Sequence, residues 1–233
     1  MRILITRPRE DGAAIAGLLV RMGHQPLPAP LLAARFLEDA ELPLDGVQAI
    51  LATSANGVRA LVHRLGRREK GFDIPLFAVG PQTAAEAEKS GFTAVRSADG
   101  DARALAEAAA RWAVPEKGAL LHVCGEDAPG VLAQDLAARG FAVRRAVLYR
   151  MDAAAALPAE AEAALKSGAL DAAMFFSPRS ARVFCDLARD LPTDGLVALC
   201  ISPATAAALD GKAFARITVA ARPNQAAMLA LVA

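Results

Sequence analysis

The sequence has little that would support several common chemistries. It holds only three cysteines, Cys124, Cys185 and Cys200, widely spaced and odd in number. They form neither a disulfide framework nor a CxxC metal or redox pair. Its three histidines, His24, His63 and His122, show no metal-ligand spacing. There is no GxGxxG, no P-loop and no HExxH, which argues against hydride transfer, phosphoryl transfer and metal-assisted hydrolysis. Lys and Arg number 26 against 25 Asp and Glu, for a formal net charge of +1. That balance gives no broad nucleic-acid footprint, so an anionic ligand must be held locally by helix N-termini and a few arginines. No apolar run reaches the roughly 18 residues that a membrane span needs. Met1-Arg2-Ile3-Leu4-Ile5 enters a strand directly, without the apolar core of a signal peptide. A reduced, cytoplasmic protein with no membrane association is expected. Aromatics are 5% of the chain, with one Trp and one Tyr, Tyr149.

What is present is a rhythm of short apolar runs and amphipathic stretches. Strands are expected at 3–6, 47–52, 76–79, 94–96, 119–123, 142–148, 172–176, 197–201 and 217–219. Between them, 3.6-residue periodicity predicts helices, for instance over 56–65, 102–112, 159–166 and 180–190. Ile15, Leu18, Leu19 and Met22 stripe the first helix, and Gly23 is placed to end it. Pro26, Pro28 and Pro30 restrict 25–30 to an edge strand or a connector, and 31–44 follows no clear period. Arg64, Arg67, Arg68 and Lys70 form a basic helix exit, suited to the negative end of the dipole. The alternation predicts an α/β fold of mostly parallel sheets flanked by helices.

The chain also repeats itself. Ile50–Ser54 leading into Asn56-Gly57-Val58, then Phe77–Thr83, is echoed by Phe175–Ser180 and then Val197–Thr205. Ile3–Gly23 likewise echoes Leu120–Gly140, each reading strand, polar turn, helix, Gly. The simplest assembly is two similar domains joined by a two-segment extended linker. One domain takes residues 1–34 and 155–233, the other 38–148, with 35–37 and 149–154 as connections. A crevice between the domains, lined by strand C-terminal ends, is the default ligand site.

Small hydroxyl residues recur where strands become helices: Thr53-Ser54, Thr83, Ser177, Ser202 and Thr205. Each serves equally well as an N-cap or as part of an anion site built on helix amides. Arg7, after the first strand, and Arg179, in the Ser-Pro-Arg-Ser turn, are either solvated or contacts for a carboxylate or phosphate. Tyr149 is either an interface aromatic with a satisfied hydroxyl or a phenol facing the crevice as a general acid. His122, inside an apolar strand, reads as a satisfied core residue. Asp99-Gly100-Asp101 and Gly125-Glu126-Asp127 read as acidic turns.

Placed in order, these stretches resemble the uroporphyrinogen-III synthase family. The resemblance is carried by Ile5-Thr6-Arg7-Pro8, Thr53-Ser54-Ala55-Asn56-Gly57-Val58 and Phe77-Ala78-Val79-Gly80-Pro81-Gln82-Thr83-Ala84. Leu148-Tyr149-Arg150, Phe176-Ser177-Pro178-Arg179-Ser180 and Ile201-Ser202-Pro203-Ala204-Thr205-Ala206 extend it over nearly the whole length. It implies a cofactor-free, metal-free monomeric lyase of tetrapyrrole biosynthesis. Such an enzyme cyclises hydroxymethylbilane to uroporphyrinogen III with inversion of ring D and loss of water. It also implies transient contact with the upstream bilane synthase. Tyr149 would assist departure of the ring A hydroxyl. Thr6, Arg7, Ser54, Gly80, Thr83, Ser177, Arg179, Ser202 and Thr205 would bind the acetate and propionate groups. Ala55-Asn56 and Gln82 stand where many relatives carry basic residues or proline, which moves binding toward backbone amides. The competing expectation is a non-catalytic, bilobal cytoplasmic binder of a small polyanion.

Overall fold

A computed structural model of the chain describes residues 1–66 and 71–233. Of the basic helix exit expected from the sequence, Arg67, Arg68 and Lys70 lie outside the described residues. The chain forms two compact units, residues 1–33 with 152–233, and residues 34–151.

The first unit is a five-stranded sheet of β1 (Arg2–Ile5), β2 (Gln25–Pro28), β9 (Ala172–Phe175), β10 (Val197–Cys200) and β11 (Arg216–Val219). Their order is β11-β10-β9-β1-β2, and every neighbouring pair is parallel. Because side chains alternate along a strand, each strand feeds two cores. Leu4, Ala173 and Phe175 face one cluster. Ile3, Ile5, Ala172 and Met174 face the other. Helix α6 (Ala159–Lys166), α7 (Pro178–Leu187) and α8 (Pro203–Ala207) cover the first face, adding Ala161, Leu165, Ala181 and Phe184. Helix α1 (Arg9–Arg21) and α9 (Gln225–Leu229) cover the second, through Ile15, Leu19 and Met228. Gly23 ends α1 in the left-handed region at φ 83°, where a side chain is disfavoured.

The proline-punctuated segment is an edge strand, β2. The Gln25 amide donates to the Met1 carbonyl and the Ala29 amide to the Ile5 carbonyl. Pro26 and Pro28 occupy the alternate positions, whose amides an edge strand does not use.

The second sheet has six strands in the order β3-β8-β7-β4-β5-β6 and belongs to the second unit except for the first two residues of β3 and the last two of β8. These are β3 (Leu32–Phe36), β4 (Val47–Ala52), β5 (Leu76–Ala78), β6 (Val95–Ser97), β7 (Ala119–Gly125) and β8 (Val143–Ala153). From β8 to β6 all pairs are parallel. The aperiodic 31–44 stretch therefore contains a strand, β3, and β8 continues through 149–153. The face carrying Ile50, Ala52, Leu121 and Val123 packs against α2 (Ala55–Leu65) and α3 (Pro81–Lys89). The opposite face, with Ala49, Leu51 and Leu120, packs against α4 (Ala102–Trp112) and α5 (Val131–Ala137). Among the described residues, no helix is long and apolar enough to cross a membrane.

In the first unit, Phe184 is fully buried and meets Phe175 edge-on at 5.1 Å and Phe214 at 6.3 Å. Phe184→Ala should cost about 3–5 kcal/mol of stability through lost transfer energy and the cavity left behind. Urea unfolding of the variant and parent checks this as a lowered midpoint.

Candidate functional site

The hydroxyl residues of both units sit where parallel strands give way to helices. Ser54 (φ −158°, ψ 153°), Ser177 (φ −161°, ψ 153°) and Ser202 (φ −154°, ψ 162°) share one extended conformation. Each accepts an amide hydrogen from the residue three positions on: Gly57, Ser180 and Thr205. All three are thus N-caps, the local interaction that stops the strand and starts the helix. Gly80 holds the same place before α3 without a side chain, and Pro81 supplies the preset φ of the first turn. Because β4 and β5 are adjacent, as are β1, β9 and β10, these turns line the carboxyl edge of each sheet.

In the first unit the expected contacts are largely committed to the protein itself. Thr6 is fully buried and its hydroxyl donates to the Met174 carbonyl at 2.6 Å. The Arg7 guanidinium pairs with Asp11 at 2.9 Å and stacks 4.9 Å over the Phe176 ring. Ser177 donates to the Ser180 hydroxyl, and Ser202 Oγ lies 3.0 Å from Thr205 Oγ1. Thr205 is fully buried. Arg179 lies in the first turn of α7, half-buried. What remains for a ligand along this edge is chiefly the backbone amides of the helix turns.

The second unit places its groups around a cavity of about 330 Å³. Thr53 and Ser54 enter from the end of β4, and His122 and Gly125 from β7. Tyr149 and Met151 come from β8, and Ala102, Val131 and Leu132 from the helix side. Glu126 and Asp127 contribute from the turn after β7. Tyr149 is 9% exposed, and its hydroxyl lies 2.9 Å from Ser54 Oγ. Ser54 Oγ in turn accepts the Gly57 amide at 3.0 Å. A phenol is thereby tied through one serine to the positive end of α2. Gly80 and Thr83 belong to the neighbouring turn and do not line this cavity; Thr83 is 5% exposed at the start of α3.

Behind α2, Arg59 donates to Asn56 Oδ1 and to Glu86 Oε2, both at 2.9 Å, tying α2 to α3. Asn56 is therefore held in the protein's own network.

His122 is a core residue and also part of the cavity wall. It is 2% exposed, and its Nε2 lies 3.3 Å from Thr53 Oγ1. Burial, reinforced by the Arg145 charge, lowers its pKa from 6.5 to about 4, so it is neutral near pH 7. A sequence shows a histidine in an apolar strand but not the space left beside it. Gly125, read as a loop glycine, instead closes β7 beneath Tyr149. The cysteines take no part: all are free thiols, and burial pushes Cys200 up to about 11 and Cys185 upward as well. Among the described residues, no group of three or more His, Cys, Asp or Glu side chains is arranged to hold a metal ion.

Comparison with known proteins converges on one family. The family model described as "HEM4: Uroporphyrinogen-III synthase HemD" matches residues 13–230. A putative uroporphyrinogen-III synthase of Methanocaldococcus jannaschii is 33% identical over 86 residues, which is 36% of this chain and 36% of that protein. The crystal structure of uroporphyrinogen-III synthetase from Helicobacter pylori 26695 is similar in fold, with a TM-score of 0.69 at 19% identity. That likeness covers 100% of this chain and 98% of the other.

The pKa of His122 has a consequence for stability. Above about pH 6.5 the imidazole is neutral both folded and unfolded. As pH falls from 6.5 toward about 4, the unfolded chain takes up a proton that the folded chain refuses, so stability is lost. Between roughly pH 7 and pH 5 the loss from this group should be about 2 kcal/mol. Urea unfolding at the two pH values, on the parent and on His122→Gln, should show the steeper acid loss in the parent.

Proposed function

Because the chain belongs to the uroporphyrinogen-III synthase family, we propose that it cyclises hydroxymethylbilane to uroporphyrinogen III, inverting ring D and releasing water. The observation that carries the assignment of chemistry to residues is the Tyr149 hydroxyl, 2.9 Å from Ser54 at the cavity of the second unit. The bilane loses its ring A hydroxyl readily, so a weak acid suffices. A phenol, with an ordinary pKa of about 10, is protonated near neutrality and able to donate. Tyr149 gives its proton to the departing hydroxyl, which leaves as water and generates the azafulvene in its protonated, cationic form opposite the phenolate. Ring closure through the spiro-pyrrolenine ends in loss of a proton from carbon, and that proton restores the phenol.

Ser54 supports both states of Tyr149. Its oxygen is anchored by the Gly57 amide, leaving its own hydrogen available to the phenolic oxygen as charge develops there. His122 is neutral near pH 7 and so adds no cationic charge beside a developing phenolate or azafulvene. Each unit offers substrate carboxylates its helix starts, at Ser54 and Gly80 in the second and at Ser177 and Ser202 in the first, while the buried Thr83 and Thr205 brace those turns. Gly80 suits this because it carries no side chain and a Cβ there would meet nothing within 4 Å, so the turn is open on that side. Thr6, Arg7 and Arg179 support the same edge, Thr6 and Arg7 by bracing the turn after β1. The upstream bilane synthase supplies the substrate in the cytoplasm, and the protein acts as a monomer. Uncatalysed closure gives the unrearranged isomer, so conformational control of the bilane is the larger part of catalysis.

The test is product analysis with hydroxymethylbilane made in situ by its synthase, followed by oxidation and separation of type I from type III isomers. Type III product that depends on this protein is expected. Type I alone, from folded protein, would overturn the assignment in favour of a polyanion binder. Tyr149→Phe should lower turnover about 100- to 10,000-fold, the usual span for a positioned acid. Its thermal midpoint should stay close to the parent's. Unchanged turnover would remove Tyr149 from the mechanism.

A further inference from the structure

Tyr149 and Ser54 are not on neighbouring strands. Tyr149 belongs to β8, Ser54 follows β4, and β7 runs between them. Adjacent strands are about 4.8 Å apart, so β8 and β4 are separated by roughly 10 Å. The Tyr149 ring can reach the serine only by lying across β7.

Two features of this chain make that crossing possible. The first is an irregularity in the β7·β8 ladder: Cys124 pairs with Val147, but Gly125 pairs with Tyr149, so Leu148 is passed over. An extra residue of this kind re-aims the side chains that follow it. Its effect is visible in the core. Leu148 is 1% exposed and Tyr149 9%, and both belong to the same buried cluster. Consecutive residues of a regular strand would face opposite sides.

The second feature is Gly125 itself. A Cβ placed there would lie 2.8 Å from Tyr149 Cζ, 2.9 Å from Cε2 and 3.1 Å from the hydroxyl oxygen. The nearest ring atoms belong to the reacting end of the phenol. Gly125 is not among the residues with positive φ, so its backbone does not demand glycine. What demands it is the ring above.

We propose that Gly125 is a positioning residue of the reaction: its missing side chain is the seat on which the Tyr149 phenol crosses β7 to meet Ser54. The phenol is then clamped, with Gly125 beneath and the Ser54 hydroxyl at its tip. A β-carbon at position 125 lifts the ring, breaks the 2.9 Å contact and moves the acidic proton away from the site of hydroxyl departure. The part assigned to Gly125 in catalysis rests on Tyr149 being the acid; the steric contact does not.

Since the chain holds one tyrosine, 3-fluorotyrosine labelling places a fluorine probe at Tyr149 alone. Gly125→Ala should shift the 19F resonance and lower kcat about 100-fold, with KM little changed, as expected for a displaced reacting group. Added to Tyr149→Phe, it should lower kcat much less. Should Gly125→Ala fold poorly, stability supplies the second reading. The substitution should lower the urea midpoint less in a Tyr149→Ala background, where the space is vacant, than in the parent. An unmoved resonance with parental kcat, or an equal stability cost in both backgrounds, would overturn the proposal. Unchanged turnover of Tyr149→Phe overturns the acid assignment and with it the catalytic part of Gly125. A displaced resonance in Gly125→Ala still establishes the contact in that case.

Discussion

A serine oxygen turned back onto an amide hydrogen fixes the point at which three of the apolar strands become helices. At Ser54, Ser177 and Ser202 the geometry is nearly the same. The interaction is modest, about 1 kcal/mol per cap, yet it decides where the helix amides begin and which way they point. Because the strands are parallel, every such turn falls at the same edge of its sheet. A row of helix-start amides, suited to an anion without many cationic side chains, then follows from topology. The chain's net charge of +1 fits that economy. So does the internal commitment of Arg7 to Asp11 and Phe176, and of Arg59 to Asn56 and Glu86.

One cap does more than end a strand. Ser54 carries the amide of Gly57 on one side and the Tyr149 hydroxyl on the other. A phenol on β8 is thus referenced to a helix start, a rigid element on which side chains are held more precisely than on free loops. The price is a ladder irregularity in β8 and a glycine in β7. The neighbouring His122 follows the same logic, since its burial keeps a polar wall residue uncharged.

The fold was legible because its signals are periodic. Ile3, Leu4 and Ile5, or Ala49 through Ala52, are apolar without alternation, which is what burial on both faces produces. The helix over 102–112 and the strand over 47–52 are observed at the expected residues. Leu32–Phe36 was not legible: its burial alternates with exposed Ala33 and Arg35, and its place beside β8 is a long-range fact. The candidate site was legible only in part. Ser54 and Tyr149 lie far apart in sequence, and nothing local announces that one reaches the other. The irregularity passes over Leu148 within the apolar run Val147-Leu148-Tyr149, where no turn residue marks it. His122 looked like core and is core; the adjoining cavity depends on side chains from β4, β8 and two helices. Composition suggests which residues can do chemistry, while strand order decides which of them meet.

The alternating prolines of β2 bear on how the protein behaves in a crowded cell. An outer strand normally offers a row of amide donors that an incoming chain can zip onto. At Pro26 and Pro28 those donors do not exist, so the open margin of the first sheet displays carbonyls alone at these positions. A foreign strand arriving there finds half of its hydrogen bonds unmatched. Growth of the sheet into an intermolecular ladder is blocked by covalent structure rather than by charge, and that block is insensitive to salt and to pH.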